Sequence, residues 1–264
     1  MSIPRARVKP ATRYYRGMLS VLTWNVWFGG HRFDERCPAL VERCYRADAD
    51  LIALQEVTPE LFEHLRAAPW LRDYQLSDPD GSTLGDYGVL ILSRHPLHSI
   101  ELHPLPTRMG RSLLVADVAG PDEPVSFATA HLESQDDAAL RAQQLGIVSR
   151  HLARRHPRCL LVGDMNFADA AEPETSSLDP AFRDVWSVLH PGEAGYTVDT
   201  DVNLMRWQVK EKVTRKRIDR VFARGGLLPT SIRLFGDRCV GGDPELFASD
   251  HFGLHATFDY QRSS

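Results

Sequence analysis

Short apolar segments separated by turn residues recur along most of the chain. Several, such as 87–93, are apolar at nearly every position, which is typical of strands covered on both faces, whereas others alternate apolar and polar residues. So many predicted strands exclude a helical bundle and favour a layered α/β or sandwich architecture. The nine segments are 20–27, 50–57, 87–93, 112–118, 125–132, 158–166, 217–224, 231–237 and 251–258.

Three segments have helical periodicity instead. The clearest is 136–156, a second runs over about 34–46, and a third begins with Thr58 as its N-cap and Pro59 in its first turn. We expect these helices to lie outside a pair of packed sheets. The apolar residues at helical spacing in the first of them are Leu140, Leu145, Val148 and Leu152.

The pattern of strands and helices runs through the chain without a break that would separate domains. No repeat of fixed period and no long Pro/Gly/Ser-rich linker divides the chain. We therefore expect one catalytic domain over 18–264, acting as a monomer. It would follow a basic, flexible segment over 1–17, which contains five Arg and Lys residues and no acidic residue.

Composition excludes several classes of protein. In 264 residues, 31 Lys and Arg against 35 Asp and Glu give a formal net charge of −4, which excludes a polycation that binds nucleic acid through bulk charge. The four cysteines form no CxxC pair, so a zinc ribbon or disulfide frame is not predicted and a cytoplasmic location is expected. No window approaches the roughly 18 apolar residues of a spanning helix, so no membrane contact is expected.

Polar residues stand at the ends of several predicted strands, where enzymes commonly place their active sites. Each of these residues is ambiguous alone, but together they bring amides, acids and imidazoles to six strand ends. They are Asn25, Glu56, His131, Asp164, Asn166, Asp219, Asp250 and His251.

Glu56 directly follows the apolar run 51–54. A carboxylate that emerges beside the core is costly unless it is paired or bound to a metal, which favours a metal-ligand role. The alternative is an ordinary acid near a helix N-terminus, because Thr58 and Pro59 begin a helix two residues later. By itself the local sequence supports both interpretations about equally.

Asp164 and Asn166 in GDMN are separated by one residue, so on an extended backbone both side chains project to one side. A carboxylate and a carboxamide placed this way can orient an attacking water, with the Asp accepting its proton. An Asx turn that ends the strand is the competing interpretation, and it is the commoner use of these residues.

Asp250 and His251 are adjacent, so in a regular strand they face opposite ways. An imidazolium at His251 would stabilise charge on a phosphate in the transition state, and Asp219 could hold its other nitrogen and keep it protonated. Asp250 could reach a metal or make a structural hydrogen bond. For all three residues the alternative is an ordinary surface or turn position.

His131 and Ser134 of HLES follow another strand and can donate hydrogen bonds to phosphate oxygens, although a histidine satisfied beside the core is a serious alternative. The candidate metal ligands are oxygen or amide donors. Such donors select Mg²⁺ or Mn²⁺ over zinc.

Six motifs, read in chain order, resemble those of the endonuclease/exonuclease/phosphatase superfamily of metal-dependent phosphodiesterases. They are TWNVWFGG, LQEV, HLES, GDMN, RIDR and SDH, spread over roughly 20–259. Within the superfamily the chain is most similar to the tyrosyl-DNA phosphodiesterase 2 family, because MGRSLL, YTVDT and the basic stretch into RIDRVF accompany HLES. The resemblance implies a DNase I-like fold, a four-layered α/β (α+β) sandwich of two mainly antiparallel sheets flanked by helices.

The resemblance also implies roles for these residues. Glu56 would bind Mg²⁺ or Mn²⁺ with help from Asn25 and with Asp250 nearby. The catalytic set would be Asp164 and Asn166 at the water, His251 with Asp219 at the transition state, and His131 with Ser134 at the scissile phosphate; Arg111 corresponds to a family arginine near HLES.

Two departures from the family pattern concern the substrate. Where the family has GDTNLRD-like and YTWDT-like strings, Ala168 replaces an arginine and Val198 a tryptophan. Local basic residues, including Arg206 and Arg217, could restore phosphate contacts, or could form a solvated face. Trp24, Trp27 and Phe28, beside Asn25, could stack on a base or a tyrosine of the substrate, with core packing as the commoner alternative.

We therefore expect a Mg²⁺- or Mn²⁺-dependent phosphodiesterase that acts on nucleic acid, at five-prime DNA ends blocked by tyrosine. An alternative is a nuclease or phosphatase of the same superfamily that acts on RNA, nucleotides or small phosphoesters. A third hypothesis is an inactive scaffold that binds nucleic acid, but inactive relatives usually lose a metal ligand or the catalytic imidazole, and six such residues are all present. These are Asn25, Glu56, Asp164, Asn166, Asp219 and His251.

Overall fold

The computed structural model describes residues 17–261. The predicted basic segment 1–17 lies outside the described residues, apart from Gly17. None of the helices within 17–261 combines the length and the apolar character that crossing a membrane would require.

The described chain contains fourteen strands and six α-helices, with one 3₁₀ helix over Pro69–Asp73. The strands are β1 (Met18–Asn25), β2 (Leu51–Val57), β3 (Gln75–Leu76), β4 (Gly88–Ser93), β5 (Leu97–Pro104), β6 (Ser112–Val118), β7 (Val125–His131), β8 (Cys159–Asp164), β9 (Arg183–Asp184), β10 (Val198–Asp199), β11 (Arg215–Lys216), β12 (Asp219–Arg224), β13 (Leu227–Phe235) and β14 (Gly253–Tyr260). The helices are α1 (Phe33–Arg46), α2 (Pro59–Ala67), α3 (Ala138–Leu152), α4 (Glu174–Ser177), α5 (Val185–Leu189) and α6 (Leu204–Lys210).

Two six-stranded sheets form the centre of the fold. Their strand orders are β13-β14-β1-β2-β4-β3 and β5-β6-β7-β8-β12-β9, and β10 pairs with β11 separately. Each large sheet has one parallel pair, β1 with β2 and β7 with β8, and antiparallel pairs elsewhere. This confirms the predicted sandwich of two mainly antiparallel sheets.

The two parallel pairs are built alike, as strand, helix, strand. Helix α1 connects β1 to β2, and α3 connects β7 to β8. Thr58 caps α2 as predicted, by accepting from the Leu61 N–H, and Asp137 caps α3 by accepting from the Leu140 N–H. Since parallel strands end at the same edge of a sheet, this arrangement puts the ends of both pairs where polar residues can converge.

Apolar side chains fill three layers. The inter-sheet layer takes residues such as Val21 and Leu51 from one sheet and Phe127 and Leu160 from the other. Helices α1 and α2 cover the outer face of the first sheet, and α3 covers the outer face of the second. The residues that pack α3 are the predicted Leu145, Val148 and Leu152, all fully buried.

All nine predicted strands are present, but β5 and the short strands were not anticipated. β5 lies at the edge of its sheet and pairs with β6 alone. Its sequence, LHSIELHP, is polar and largely exposed, so it has none of the continuous apolar character that marks the covered strands.

We expect His255 on β14 to make the protein less stable in acid. Within residues 17–261 its buried Nε2 has no hydrogen-bond partner, and burial, together with Arg233, lowers the pKa of His255 in the folded protein. The unfolded chain therefore takes up this proton first, and stability falls as the pH drops below about 6.5, by at most about 1.4 kcal/mol per pH unit for one group. His255→Phe, which keeps the ring contact with Phe235, should flatten the fall in Tm between pH 7.5 and 5.

The exposed His98 on β5 provides the control for this measurement. His98→Phe should leave the pH dependence of Tm unchanged. A His255→Phe protein with the same acid sensitivity as the wild type would show that this histidine is not responsible.

Candidate active site

The polar strand ends meet at one edge of the two sheets. Asn25 ends β1 and pairs in register with Gln55 of β2, next to Glu56. In the second sheet His131 ends β7 opposite Asp164 of β8. Because β12 runs antiparallel to β8, its first residue, Asp219, lies opposite Asp164 as well.

A single amide connects the acids of the two sheets. Asn25 Nδ2 donates to Glu56 Oε1 at 3.1 Å and to Asp164 Oδ2 at 2.9 Å, while its Oδ1 accepts from the Trp27 N–H at 3.0 Å. His131 lies over the same acids, with Nε2 3.5 Å from Asp164 Oδ2 and Nδ1 3.8 Å from Glu56 Oε1. The structure therefore brings these four predicted residues into one cluster.

Glu56 is displaced from regular strand geometry. Its φ is +63°, and the register of β2 against β4 shifts between Gln55 and Val57. The buried carboxylate accepts from the Phe28 N–H at 2.9 Å through Oε2. A left-handed backbone at a non-glycine residue is strained, and here it turns a carboxylate toward the cluster.

Asp164 and Asn166 of GDMN form the Asx turn, and the same turn places both side chains where they could orient a water. Asp164 Oδ1 accepts from the Asn166 N–H at 3.0 Å, which is the Asx turn, and Asn166, with φ +56°, donates from Nδ2 to the Leu132 carbonyl at 3.0 Å. The turn thus holds both side chains in place beside the end of β7. Gly163 permits the close strand approach, since a Cβ there would collide with the Ala130 carbonyl oxygen.

His251 and Asp219 form the predicted buried pair. His251 Nδ1 lies 2.9 Å from Asp219 Oδ2, and Asp164 Oδ2 lies 3.9 Å from the same nitrogen. Burial lowers the pKa of His251, but Asp219 and Asp250 outweigh burial and raise it to about 10. The imidazole is therefore a cation at neutral pH, with Nδ1–H donated to Asp219 and Nε2–H left for another acceptor.

The expectation that Trp24 stacks on substrate is wrong. Its side chain is fully buried, and its Nε1 donates to the His251 carbonyl at 3.0 Å. Strand alternation explains this, because Asn25 turns toward the cluster and its neighbour must face the other way. Trp24 instead fixes the backbone that carries His251, together with Ser249 Oγ, which accepts from the His251 N–H at 3.2 Å and donates to the Asn25 carbonyl at 2.6 Å.

Arg111 lies against His131. Its Nη1 is 3.0 Å from His131 Nδ1, and because a guanidinium only donates, Nδ1 must accept and Nε2 must carry the proton. Burial, and then the charge of Arg111, lowers the pKa of His131 well below its usual value. His131 is therefore neutral, the opposite state from His251, and its Nε2–H points toward Asp164.

The remaining predicted substrate residues differ in their surroundings. Ser134 is half-buried beside Met109, and Arg206 of α6 is ion-paired with Asp250. Arg217 is buried between two carboxylates, 2.7 Å from Asp184 and 2.8 Å from Asp169. The prediction that Arg217 contacts a phosphate is therefore wrong, because these two carboxylates already neutralise the charge of its guanidinium.

The cluster holds more buried negative charge than its own cations balance. Burial, followed by Asp250, raises the pKa of Glu56, and burial, followed by Asp219, raises the pKa of Asp164 to about 7. The buried Asp219 Oδ1 has no hydrogen-bond partner among the described residues. Carboxylates this close and this buried suit a divalent cation, and their oxygen donors suit Mg²⁺ or Mn²⁺.

The acids are not all equally suited to holding a metal. Ligand atoms of Asp164, Asp219 and His251 all lie within 4.8 Å of one another. However, a protonated imidazole cannot ligate a cation, so this triplet is better described as a set of hydrogen-bonded ion pairs. Glu56, with Asn25 and Asp250, remains the candidate metal set.

Two stacked aromatic rings lie at the mouth of the cluster, and one of them, Tyr87, was not predicted. Phe28, half exposed, stacks on Tyr87 with centroids 4.6 Å apart and planes 7° apart. Tyr87, Arg111 and His131 line one pocket beside Leu84. No motif marks Tyr87, since its position depends on the loop between β3 and β4; the flanking WF of TWNVWFGG was the available signal for Phe28.

The family profile described as "Endonuclease/Exonuclease/phosphatase family" matches residues 22–251. The chain belongs to this family. The match spans every member of the cluster, from Asn25 to His251, and family membership supports hydrolysis of a phosphoester. None of the curated protein sequences matches the chain.

Several solved structures have the same fold. The chain is 27% identical to a Danio rerio TDP2 structure described as complexed with single-strand DNA product, covering 92% of this chain and 99% of that chain, with a TM-score of 0.80. A truncated Caenorhabditis elegans TDP2 is 22% identical over 92% of this chain and 97% of that one, with a TM-score of 0.79. A Staphylococcus aureus beta toxin, 16% identical over 90% and 99%, has a TM-score of 0.71.

Proposed function

We propose that this chain is a metal-dependent phosphodiesterase that hydrolyses a phosphodiester at the five-prime end of DNA, including a phosphotyrosyl adduct. The observation that carries the proposal is the convergence of Asn25, Glu56, Asp164 and the His251–Asp219 pair at one edge of the sandwich. Similarity to a TDP2 that was solved with single-strand DNA product supports the substrate class. We also propose that residues 18–264 act as one catalytic domain.

The reaction we propose is in-line attack of water on phosphorus. Asp164 and Asn166, held together by their turn, orient the water, and Asp164 accepts its proton as the new P–O bond forms. The bond to the leaving oxygen breaks on the opposite side. A tyrosine phenol has a pKa of about 10, so it leaves as a phenolate more readily than an alcohol does.

The two histidines bind phosphate oxygens in different protonation states. His251, a cation held at Nδ1 by Asp219, offers Nε2–H and a positive charge to the oxygen that gains negative charge in the transition state. Neutral His131 offers Nε2–H, because Arg111 occupies its Nδ1 side. Ser134, on the loop after β7, adds a hydroxyl donor.

Glu56, with Asn25 and Asp250, would hold the divalent cation. The cation would supply charge neutralisation to the phosphate. Arg206 lies on Asp250 in the structure, so binding there would require Asp250 to exchange this ion pair.

The decisive experiment is release of tyrosine from a five-prime-tyrosylated DNA oligonucleotide with Mg²⁺ present. An unmodified oligonucleotide is assayed in parallel, and Asp164→Asn serves as the inactive protein. We expect release from the tyrosylated strand alone, which would also show that Ala168 and Val198 are tolerated. Inertness of the wild-type protein on both strands would contradict the proposal.

A second candidate is a nuclease of the same family. Ala168 and Val198 favour it, because both depart from the tyrosyl-DNA phosphodiesterase pattern. Exposed Lys210, Lys212 and Lys216 remain available to contact a plain nucleic-acid backbone. In the experiment above, cleavage of the unmodified strand identifies this activity.

A further inference from the structure

A second cluster of metal-ligating side chains lies outside the catalytic site. It consists of Glu101 and His103 on β5 and His151 in the last turn of α3. One ligand atom from each lies within 4.8 Å of the others. The proposed hydrolysis uses none of these residues.

Sheet register places this cluster on the opposite face from the catalytic residues. His103 pairs with Leu113, which pairs with Ala130, so all three side chains share the face that α3 covers. His131, one residue beyond Ala130, must face the other way. Glu101, two residues before His103, shares the α3 face with it.

We propose that Glu101, His103 and His151 form a zinc site that joins the edge strand β5 to the end of α3. Two imidazoles and one carboxylate are a ligand set typical of Zn²⁺, whereas the oxygen-rich catalytic cluster suits Mg²⁺. The fourth position of such a site is open to water.

The distances fit a tetrahedral zinc ion. Ligands about 2.1 Å from a tetrahedral Zn²⁺ lie about 3.4 Å apart. His151 Nε2 is 3.5 Å from Glu101 Oε1, and the rings of His103 and His151 have centroids 5.0 Å apart with planes tilted by 39°. Small side-chain rotations therefore suffice to point all three ligand atoms at one ion.

The surroundings orient the ligands. Arg155 is ion-paired with Glu101 Oε2 and, at 3.2 Å, with Asp117, which leaves Glu101 Oε1 directed at His151. Such outer contacts commonly orient metal ligands. Arg155 Nη2 also lies 3.4 Å from His151 Nε2, so metal binding exchanges this weak contact for a coordinate bond.

The test is titration of the protein with Zn²⁺ in the presence of excess Mg²⁺. Calorimetry measures zinc binding, and thermal unfolding measures its effect on Tm. We expect one zinc per chain and a zinc-dependent rise in Tm, because a metal that binds only the folded state stabilises it. His103→Ala should weaken zinc binding by about 100-fold or more and abolish the rise in Tm, since it removes a direct ligand.

Two variants make the result specific. His98→Ala removes an exposed histidine of the same strand and should bind zinc like the wild type. Glu56→Gln alters the catalytic cluster and should keep the zinc-dependent rise in Tm. Equal zinc affinity in the His103→Ala and wild-type proteins would overturn the proposal, as would loss of the zinc effect in Glu56→Gln or its complete suppression by Mg²⁺. His103→Ala without zinc should unfold at the wild-type Tm, which shows that the variant is folded.

Discussion

Replacement of His251 by alanine should lower turnover by about 100-fold or more, while substrate binding changes much less. The imidazolium is fixed by the 2.9 Å contact with Asp219, and its Nε2–H is the donor that we assign to the transition-state oxygen. Loss of one such donor from a buried site typically costs about 10²–10³ in kcat. Single-turnover rates and KM on the tyrosylated oligonucleotide, measured separately, would show this split.

Asp219→Asn tests the protonation state of His251, whereas His251→Ala removes the imidazole altogether. Asp219 is among the groups that raise the pKa of His251, so its neutral amide should lower that pKa. His251 would then lose its proton at lower pH. The pH at which turnover declines on the alkaline side of the pH–rate profile should therefore be lower than in the wild type. Turnover near neutral pH should fall less than in His251→Ala. A His251→Ala protein with intact turnover would contradict the assignment of His251.

Strand order accounts for part of the predicted convergence of polar residues. Asn25 and Glu56 lie at the end of one parallel pair, and His131 and Asp164 at the end of the other, so each pair of residues meets at one edge of its own sheet. Whether the two pairs meet depends on how the sheets pack, and the signal available in the sequence was the polar residue at each strand end. His251 was predicted for its chemistry, since an imidazole beside acids suits a phosphate.

The misassigned residues depend on contacts that the local sequence does not specify. Trp24 and Asn25 are neighbours, and only the register of β1 decides which of them faces the cluster. Arg217 lies in a basic stretch that suggests a phosphate contact, but its carboxylate partners, Asp169 and Asp184, come from distant segments. Polar composition marks an exposed edge strand such as β5 poorly, because it lacks a continuous apolar face.

Replacement of Glu56 by glutamine should weaken divalent-metal binding by about 100-fold and nearly abolish activity at limiting Mg²⁺. The amide is close in size and can still accept from the Phe28 N–H, so the fold should persist, but the anionic ligand is lost. Burial already raises the pKa of this carboxyl, so in the metal-free protein its charge is costly, and a bound cation would offset that cost. Calorimetric titration with Mn²⁺ measures the affinity, and the Mg²⁺ dependence of tyrosine release measures the functional loss.

The matched control is Glu60→Gln, an exposed acid four residues further along the chain in the first turn of α2. It removes the same charge near the same helix N-terminus, so it separates a specific ligand from general electrostatic attraction. If Glu56 is a ligand, high Mn²⁺ should restore part of the activity of Glu56→Gln, whereas Glu60→Gln should need no rescue. Equal metal affinity in the Glu56→Gln and wild-type proteins would instead support the other interpretation of Glu56, an acid that stabilises the start of α2. The metal would then have to be held by other carboxylates of the cluster, and Asp164, Asp219 and Asp250 are those whose charge acts on Glu56 or His251.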